Sequence, residues 1–411
     1  MLKGFKVLDL TDETGYLCGK ILAELGADVV KIEKPDGDAG RKRGPFYRDT
    51  SGSESSLFWT AYNMGKRGIT LNVESEAGIE ILTQLIKKVD FLIESYPPDY
   101  LEQKGLNYTI MNQCNQRIIV ISITPFGKKG PYKDYRASDL VVTGMSGFQY
   151  LCGDPDRPPV RISFPQAYLH ASTSAAAAAM IAHFHREATG KGQHVDVSAQ
   201  QCIAWCMLDT QGYWDMNRLK IHREGSFEYR PASNIVTRRI WQCKDGYLIF
   251  WIIGGFPGAP TMSALVEWMQ EKGMSDERMS TMDWNNFDLA AETQDSINRL
   301  ENAISSFFLT CTKAEILENM RKRNMYLRPL TSVDEVLNDD QLEYRGFWQE
   351  IDDLDWGRSI KYPGPFCKPS LTPLHMGKLA PYVGQHNYDF YIGEFGMSQD
   401  EYTRLKKRGV V

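Results

Sequence analysis

Short apolar runs alternate with amphipathic stretches along the first part of the chain. Residues 5–10 form an apolar run, residues 15–27 place apolar side chains at helical spacing, and residues 28–35 form a second run that a proline ends. This order predicts a β-α-β unit, which is typical of the opening of a doubly wound, Rossmann-like α/β domain. The alternation continues with predicted strands at 67–73, 90–95 and 117–124 and with an amphipathic helix at 75–89. Strands that alternate with helices predict a parallel sheet.

The pattern changes towards the middle of the chain. Residues 171–187 are rich in alanine and predict a helix that packs closely against a neighbouring element. Residues 239–255 predict a β-hairpin, because Lys244, Asp245 and Gly246 stand between two apolar runs and an Asp-Gly pair there is a strong turn signal. We therefore predict a large α/β part over 1–221 and a smaller α+β domain over 222–325, followed by a long Pro/Gly-rich, extended stretch.

Length and charge exclude several classes of protein. The 411 residues suffice for two or three domains. The formal net charge of −5 gives no general attraction to nucleic acid or to anionic membranes. No apolar run approaches the ~18 residues of a membrane span. The first residues enter a strand pattern directly, so we expect no secretory leader.

The eight cysteines give no sign of a metal site. Cys202 and Cys206 lie four positions apart on a predicted helix, but neither a histidine nor a second cysteine pair accompanies them. We predict no bound metal and interpret the cysteines as core thiols of a reduced, cytoplasmic protein.

The first β-α-β unit also raises the question of a dinucleotide site, with Glu33 as the acid for the ribose. The turn reads D-E-T-G-Y-L-C-G and lacks the glycines with which a backbone approaches a pyrophosphate. The chain also has no P-loop, no nucleophile elbow and no H-E-x-x-H motif. Dinucleotide binding and hydrolase chemistry are therefore poor interpretations.

Basic residues gather in loops that follow or precede predicted strands. In a parallel sheet, loops after the strands meet at one edge, where a phosphorylated ligand binds. The alternative is that these loops are simply charged and solvated, and spacing alone does not decide between the two. The candidates include Lys34, Arg41, Lys66, Arg67 and Arg136.

Seven segments, in order along nearly the whole chain, resemble the class III CoA-transferases, the CaiB/BaiF family. They are KVLDLT…LAELGADVVKIEKPDGDAGR, SLFWTAYNMGKRGITLNV, FLIESYPP…LEQKGLNY, SDLVVTGMSGF, HREATGKGQHVDVS, SVDEVLNDDQLEYRGF and LTPLHMGKLAPYVGQHNYDF. The resemblance implies a large α/β domain built from both chain ends, so that 326–411 completes it, with a smaller domain inserted. It also implies an interlocked dimer.

The resemblance implies a reaction as well. Family members move coenzyme A from an acyl-CoA, such as succinyl-CoA, to a free carboxylate. CoA and acyl-CoA are then substrates, and no tightly bound cofactor is expected. An aspartate at the mouth of the Ala-rich helix attacks the thioester carbonyl, releases CoA thiolate and forms a mixed anhydride. The thiolate then displaces the donor acid and leaves CoA on the enzyme as a thioester.

This chain lacks that aspartate. By the resemblance it should stand at Tyr168, and the neighbouring residues, Gln166, Ala167, Leu169 and His170, are not carboxylates either. Neither a phenol nor an imidazole can form the acyl anhydride, although either could in principle take an acyl group. We therefore expect no catalytic residue in this chain and interpret Tyr168 and His170 as packing at the helix mouth.

The resemblance also assigns contacts for CoA, which this chain keeps only in part. Lys34 replaces an arginine near the adenine end, and Asp139 matches an acid that is often found beside the active aspartate. The family's glycine-rich loop falls at 224–231, where Gly225 remains. The other expected contacts, along the pantetheine and at the phosphates, are Ser95, Tyr96, Gln103 and Lys104.

Three interpretations follow. In the first, the chain is the non-catalytic subunit of a heterodimer or heterotetramer, with a related class III subunit that carries the aspartate, as in benzylsuccinate-type CoA-transferases. In the second, it is a catalytic homodimer with a non-aspartate route. In the third, it binds acyl-CoA or regulates without transferring CoA. Four aromatic residues would suit an aromatic acid such as an arylsuccinate, or would simply pack in the core: Phe164, Tyr168, Trp205 and Trp214.

Overall fold

A computed structural model describes residues 1–49, 54–230, 233–353, 357–374 and 379–411. The chain divides into a large unit (1–149, 161–219 and 341–411) and a small unit (150–160 and 220–340). The sequence prediction placed the return to the large part at 326. The structure places it at 341, because residues 328–329 add a strand to the small unit's sheet.

A six-stranded parallel sheet forms the centre of the large unit. Its strand order is β3-β2-β1-β4-β5-β6, and every described pair is parallel. The order reverses between β1 and β4, which is the arrangement of a doubly wound sheet. The strands are β1 (Lys6–Leu10), β2 (Asp28–Glu33), β3 (Arg67–Thr70), β4 (Phe91–Glu94), β5 (Ile119–Thr124) and β6 (His194–Ser198).

Helices cover both faces of this sheet, as the sequence pattern predicts. Adjacent strand residues belong to different cores: Val7 packs with the helices of one face and Leu8 with those of the other. The helices in this part of the chain are α1 (Tyr16–Glu24), α2 (Leu57–Asn63), α3 (Glu76–Ile86), α4 (Tyr100–Gln103), α5 (Tyr108–Cys114), α6 (Asp139–Met145), α7 (Ala167–Thr189), α8 (Ala199–Trp205) and α9 (Leu208–Asn217). Ser75 accepts a hydrogen bond from the Gly78 N–H and caps α3, as predicted.

The Ala-rich helix α7 is longer than predicted. It begins at Ala167 rather than 171, so that Tyr168 and His170 lie in its first turn. Six of its alanines are buried on the side that packs against α1, β5 and β6, where small side chains allow close approach: Ala167, Ala171, Ala175, Ala176, Ala179 and Ala182.

The end of the chain returns to the edge strand β3, which confirms that both ends build the large unit. The side chain of Asn387 accepts the Thr70 N–H at 2.8 Å, and the Tyr391 hydroxyl donates to the Thr70 carbonyl at 2.7 Å. The described C-terminal elements are α15 (Asp340–Tyr344), β12 (Trp348–Asp353), β13 (Arg358–Pro363), a π-helical segment (Asp389–Glu394) and α16 (Gln399–Lys407). The last of the seven resembling segments, 371–390, falls partly outside the described residues.

The small unit is α+β, as predicted. The predicted hairpin is confirmed: β9 and β10 pair antiparallel, with Gly246 opposite Cys243. Trp241, Phe250 and Phe308 lie in its core. Its elements are β7 (Phe227–Arg230), β8 (Ile235–Arg238), β9 (Ile240–Cys243), β10 (Gly246–Ile249), α10 (Gly255–Glu271), α11 (Glu277–Thr281), α12 (Gln294–Phe308), α13 (Lys313–Arg323), β11 (Arg328–Pro329) and α14 (Val333–Val336).

Over the described residues, no helix has both the length and the apolar character that crossing a bilayer requires.

Candidate functional site

Tyr168 occupies the position at which the resemblance places the catalytic acid. Its backbone N–H, in the first turn of α7, donates to Asp139 Oδ1 at 3.3 Å, and its hydroxyl donates to the Ala137 carbonyl at 3.3 Å. Burial raises the pKa of the phenol, and the carboxylates of Asp12 and Asp139 raise it further. At neutral pH the phenol is therefore protonated and is a poor nucleophile.

The residues next to Tyr168 in the sequence, Gln166, Ala167, Leu169 and His170, are not carboxylates either. The Gln166 carbonyl accepts the first helical hydrogen bond of α7, from the His170 N–H at 2.9 Å. The His170 ring lies with Nδ1 3.4 Å from the sulfur of Cys206. Cys206 is exposed at the end of α8, so our interpretation of it as a core thiol is wrong.

A cavity of about 650 Å³ opens in front of this helix mouth. Tyr168 and Leu169 contribute to it from α7, and Asp139 contributes from the start of α6. Five aromatic side chains line it: Tyr16, Phe58, Tyr62, Phe164 and Tyr168. Its charged lining residues are Glu13, Arg43, Asp139 and Arg161. The arrangement is a cleft with apolar walls and a few ionic groups, which is typical of a site for a small organic ligand.

Only part of the predicted aromatic set lies at this cavity. Phe164 and Tyr168 line it, whereas Trp205 and Trp214 are not among its lining residues. Both tryptophans have exposed side chains on α8 and α9, so they do not pack in the core.

Two of the predicted CoA contacts lie where the strand order reverses. Ser95 follows β4, and its hydroxyl donates to Asp12 Oδ1, beyond the end of β1, at 2.8 Å. Tyr96 stacks on Tyr100 with ring centroids 4.5 Å apart. Ligands of doubly wound sheets bind in the crevice between such reversing strands, at their carboxyl ends. The structure therefore places Ser95 and Tyr96 at the crevice that this fold offers.

Three more predicted contacts have side chains at the surface. Lys34, Gln103 and Arg136 are exposed. Lys104 is half-buried and forms an ion pair with Glu74, whose carboxylate lies 2.9 Å from its Nζ. Lys34 also acts on Glu74, helping to lower the pKa of that carboxyl after the hydrogen bonds from Tyr100 and Lys104. Lys34 and Lys104 therefore share one neighbourhood close to Tyr100.

Arg41 and Lys66 are used inside the fold, which corrects their assignment as ligand contacts. Arg41 is buried and forms two hydrogen bonds with Glu33, at 2.6 and 2.7 Å. Lys66 is buried with its Nζ 2.7 Å from Asp9 Oδ2. Neither cation is free to meet a phosphate. The hydrogen bonds from Arg41 occupy both carboxylate oxygens of Glu33, so this acid is not available to bind the ribose of a dinucleotide.

Arg67 lies at the wrong edge of the sheet for the predicted contact. It is the first residue of β3 and pairs with Asp28, the first residue of β2, at 2.7 Å. It also pairs with Glu394. The amino ends of the parallel strands meet here, whereas the crevice lies at their carboxyl ends. Arg67 therefore joins the C-terminal segment to the sheet.

The predicted glycine-rich loop falls in the small unit. Gly225 has a positive φ of 58° and precedes β7, and Pro231, the last residue of that loop, lies outside the described residues. No group of three or more histidine, cysteine or acidic side chains with metal-binding geometry occurs among the residues that the structure describes.

A family model described as CoA-transferase family III matches residues 2–387. The chain belongs to this family. This membership agrees with a large unit that contains a doubly wound sheet and is built from both chain ends.

Individual relatives agree along their full length. The chain is 33% identical to the succinyl-CoA:(R)-benzylsuccinate CoA-transferase subunit BbsE of Thauera aromatica, over 99% of this chain and 97% of that protein. It is 26% identical to the succinyl-CoA–L-malate CoA-transferase beta subunit of Chloroflexus aurantiacus, over 100% of this chain and 98% of that protein. A crystal structure of a CaiB/BaiF family protein from Brucella suis superposes with a TM-score of 0.80, 27% identity and coverage of 95% and 98% of the two chains.

Sequence reasoning missed several residues of the cavity. Phe58 and Tyr62 lie one turn apart on α2, where their spacing resembles that of core residues. Arg161 follows a proline-rich stretch that carries no motif. A loop arginine of this kind gives no signal in the sequence, because the fold is what places it at one cavity with α2 and α6.

Proposed function

We propose that this chain is the non-catalytic subunit of a heteromeric class III CoA-transferase. The complex moves CoA from an acyl-CoA such as succinyl-CoA to a carboxylic acid. One observation carries the proposal: the mouth of α7 presents the phenol of Tyr168, protonated at neutral pH, at the position to which the resemblance assigns a carboxylate. A phenol cannot form the acyl anhydride that exchanges CoA, so a related subunit supplies the aspartate.

The chain keeps features that suit it to bind CoA as a substrate, without a tightly held cofactor. Ser95 and Tyr96 lie at the crevice where the strand order reverses, and Lys34, Gln103, Lys104 and Arg136 reach or approach the surface. Cationic side chains at such an edge attract the phosphates of CoA. Within this proposal, Lys34 and Lys104 serve the nucleotide end and Asp139 stays at the helix mouth.

The surface of the large unit supports a partner chain. Ile181 and Phe184 on α7 are 71% and 79% exposed, and Met216 on α9 is 83% exposed. Ile181 and Phe184 lie three positions apart on one face of α7, and neighbouring exposed apolar side chains of this size suit an interface with another protein. Two relatives are named as subunits. We therefore assign the partner to the same family, in an interlocked heterodimer or heterotetramer, and place the complex in the cytoplasm.

The acceptor we propose is an arylsuccinate such as benzylsuccinate. The most similar relative described above is named for that acid, and the cavity at α7 has five aromatic walls and two arginines. Aromatic walls suit an aryl group, and arginines suit carboxylates.

A second candidate is a catalytic homodimer with a non-aspartate route. The observation in its favour is the contact between His170 and the exposed thiol of Cys206. A thiol beside an imidazole is a common nucleophile in acyl transfer.

An exchange assay separates these candidates. The purified full-length chain is incubated with succinyl-CoA and labelled succinate, alone and then with the chain that co-purifies with it. We expect label to enter succinyl-CoA only with the co-purifying chain. Exchange by this chain alone, abolished in His170→Ala or Cys206→Ser, would contradict the proposal and favour the second candidate.

A further inference from the structure

The charged groups that line the cavity at α7 are not equivalent. Arg43 forms an ion pair with Glu13, and its guanidinium also lies over the Phe58 ring, 4.2 Å from the centroid. Asp139 accepts a hydrogen bond from the backbone N–H of Tyr168, in the first turn of α7. Arg161 is exposed and has no ion pair or hydrogen bond among the described residues. Within the part of the chain that the structure describes, Arg161 is therefore the unpaired cation of the cavity.

Aromatic rings stand in the same cavity. Phe58 and Tyr62 project from successive turns of α2, with centroids 5.1 Å apart at 57°, so they form a continuous apolar wall. Phe164 adds a ring from the segment before α7, and its side chain is 55% exposed. Binding of a ligand that covers a large exposed ring is favourable, because it removes apolar surface from water.

We propose that this cavity binds an aryl carboxylic acid, whose carboxylate pairs with Arg161 and whose ring lies against Phe58, Tyr62 and Phe164. The volume of about 650 Å³ suits a ligand of that size. The acid is held without reacting, since Tyr168 offers no carboxylate. This inference deepens the proposed function and rests on it for the role of the acid as a transferase substrate.

Arg161 then determines specificity by charge. A guanidinium binds a carboxylate through two parallel N–H···O bonds, and it has no equivalent interaction with a carboxamide. The cavity should thus prefer an aryl acid over the amide of the same shape. The aromatic wall should prefer the aryl acid over an acid that lacks the ring.

The charge preference is tested by isothermal titration of the full-length chain with benzylsuccinate and with its diamide. For the unchanged chain we expect the acid to bind at least about tenfold more tightly than the diamide, the equivalent of one charged hydrogen bond. Arg161→Gln should bind the two ligands about equally, and Arg161→Lys should keep part of the preference. Arg404→Gln, an exposed arginine on α16, is the matched control and should keep all of it.

The ring preference is tested with succinate in place of the diamide. We expect Phe164→Leu and Phe58→Leu to reduce the preference for benzylsuccinate over succinate while leaving succinate binding unchanged. Each comparison is made between two ligands on one variant, so that a general loss of folded protein does not imitate the result.

Two outcomes would overturn the inference. One is an Arg161→Gln variant that still prefers the acid over the diamide, and the other is an unchanged chain that does not bind benzylsuccinate. Neither outcome touches the exchange assay of the complex, which depends on the aspartate of the sister chain. Conversely, the complex could fail to transfer CoA while this chain still binds the acid through Arg161. That outcome would refute the proposed function but not this inference.

Discussion

Replacing Tyr168 by phenylalanine separates the packing of this side chain from any chemical role of its phenol. The ring is 7% exposed, and the hydroxyl makes one hydrogen bond, to the Ala137 carbonyl at 3.3 Å. Phenylalanine keeps the ring and removes only that bond. The bond is long for a hydroxyl donor, whose usual donor–acceptor distances are about 2.5–3.0 Å.

The expected cost in stability follows from this geometry. A typical neutral hydrogen bond contributes about 0.5–1.5 kcal/mol to the free energy of unfolding. Because this one is long, we expect Tyr168→Phe to lose about 0.5 kcal/mol, measured by urea unfolding of the complex. Tyr344→Phe is the matched control: Tyr344 is 89% exposed, and its replacement should leave the free energy of unfolding unchanged.

The same variant tests the chemistry. If Tyr168 only packs, the complex that contains Tyr168→Phe should transfer CoA at the wild-type rate. If the phenol acted as nucleophile or general acid, its removal would lower kcat by about 10²-fold or more. Such a loss, with stability close to wild type, would refute the reasoning that this chain is silent.

Three further predictions concern the buried charges and the missing acid. Lys66→Met should lower the free energy of unfolding by about 3–5 kcal/mol, because it leaves the carboxylate of Asp9 buried without its nearest cation. Burial alone would raise the pKa of Asp9, but Lys66 and Lys31 outweigh burial and lower it. The stability from Asp9 is therefore complete above its unfolded pKa of about 3.9 and is lost as the pH falls through the lower, folded value, which urea unfolding at several pH values should detect. Tyr168→Asp in this chain alone should not create robust transfer in the exchange assay, because the new carboxylate stands beside Asp139 and the family's glycine loop keeps only Gly225.

Each of these predictions has a result that would contradict it, and the stability prediction also has a matched control. Lys407→Met removes an exposed lysine from α16 and should leave stability unchanged; an equal loss in both variants would contradict the role of the Lys66–Asp9 pair. A Lys66→Met protein with the same acid dependence as wild type would contradict the assignment of that dependence to Asp9. Rapid turnover by the Tyr168→Asp chain without a partner would show that the missing acid is its only defect.

The hydrophobic pattern predicted the strands because parallel strands are buried on both faces. Val7 and Leu8 are both buried although they point to opposite faces, so neighbouring positions of this strand are apolar instead of alternating with polar ones. The hydrophobic pattern could not predict the residue at which the small unit ends, which is Asp340 in the structure. Arg328–Pro329 pairs with β10 over two residues, which is too short for any periodicity.

The site was predictable only where the family resemblance reached it. The resemblance led to Tyr168, and the structure places that residue at the cavity. Composition could not tell Arg41 or Lys66 from ligand contacts, since a basic residue in a loop has the same signature whether it faces solvent or a distant carboxylate. Lys66 meets Asp9 across 57 positions of sequence. Arg161 was missed for the converse reason, because only the fold brings it to the same cavity as α2 and α6.

Native mass spectrometry of the complex purified from its own source cells tests the central claim most directly. The account predicts a hetero-oligomer in which this chain is paired with a family III chain of similar mass that carries an aspartate where this one has Tyr168. A complex of this chain with itself alone, active in CoA transfer, would contradict the account and turn attention to His170 and Cys206.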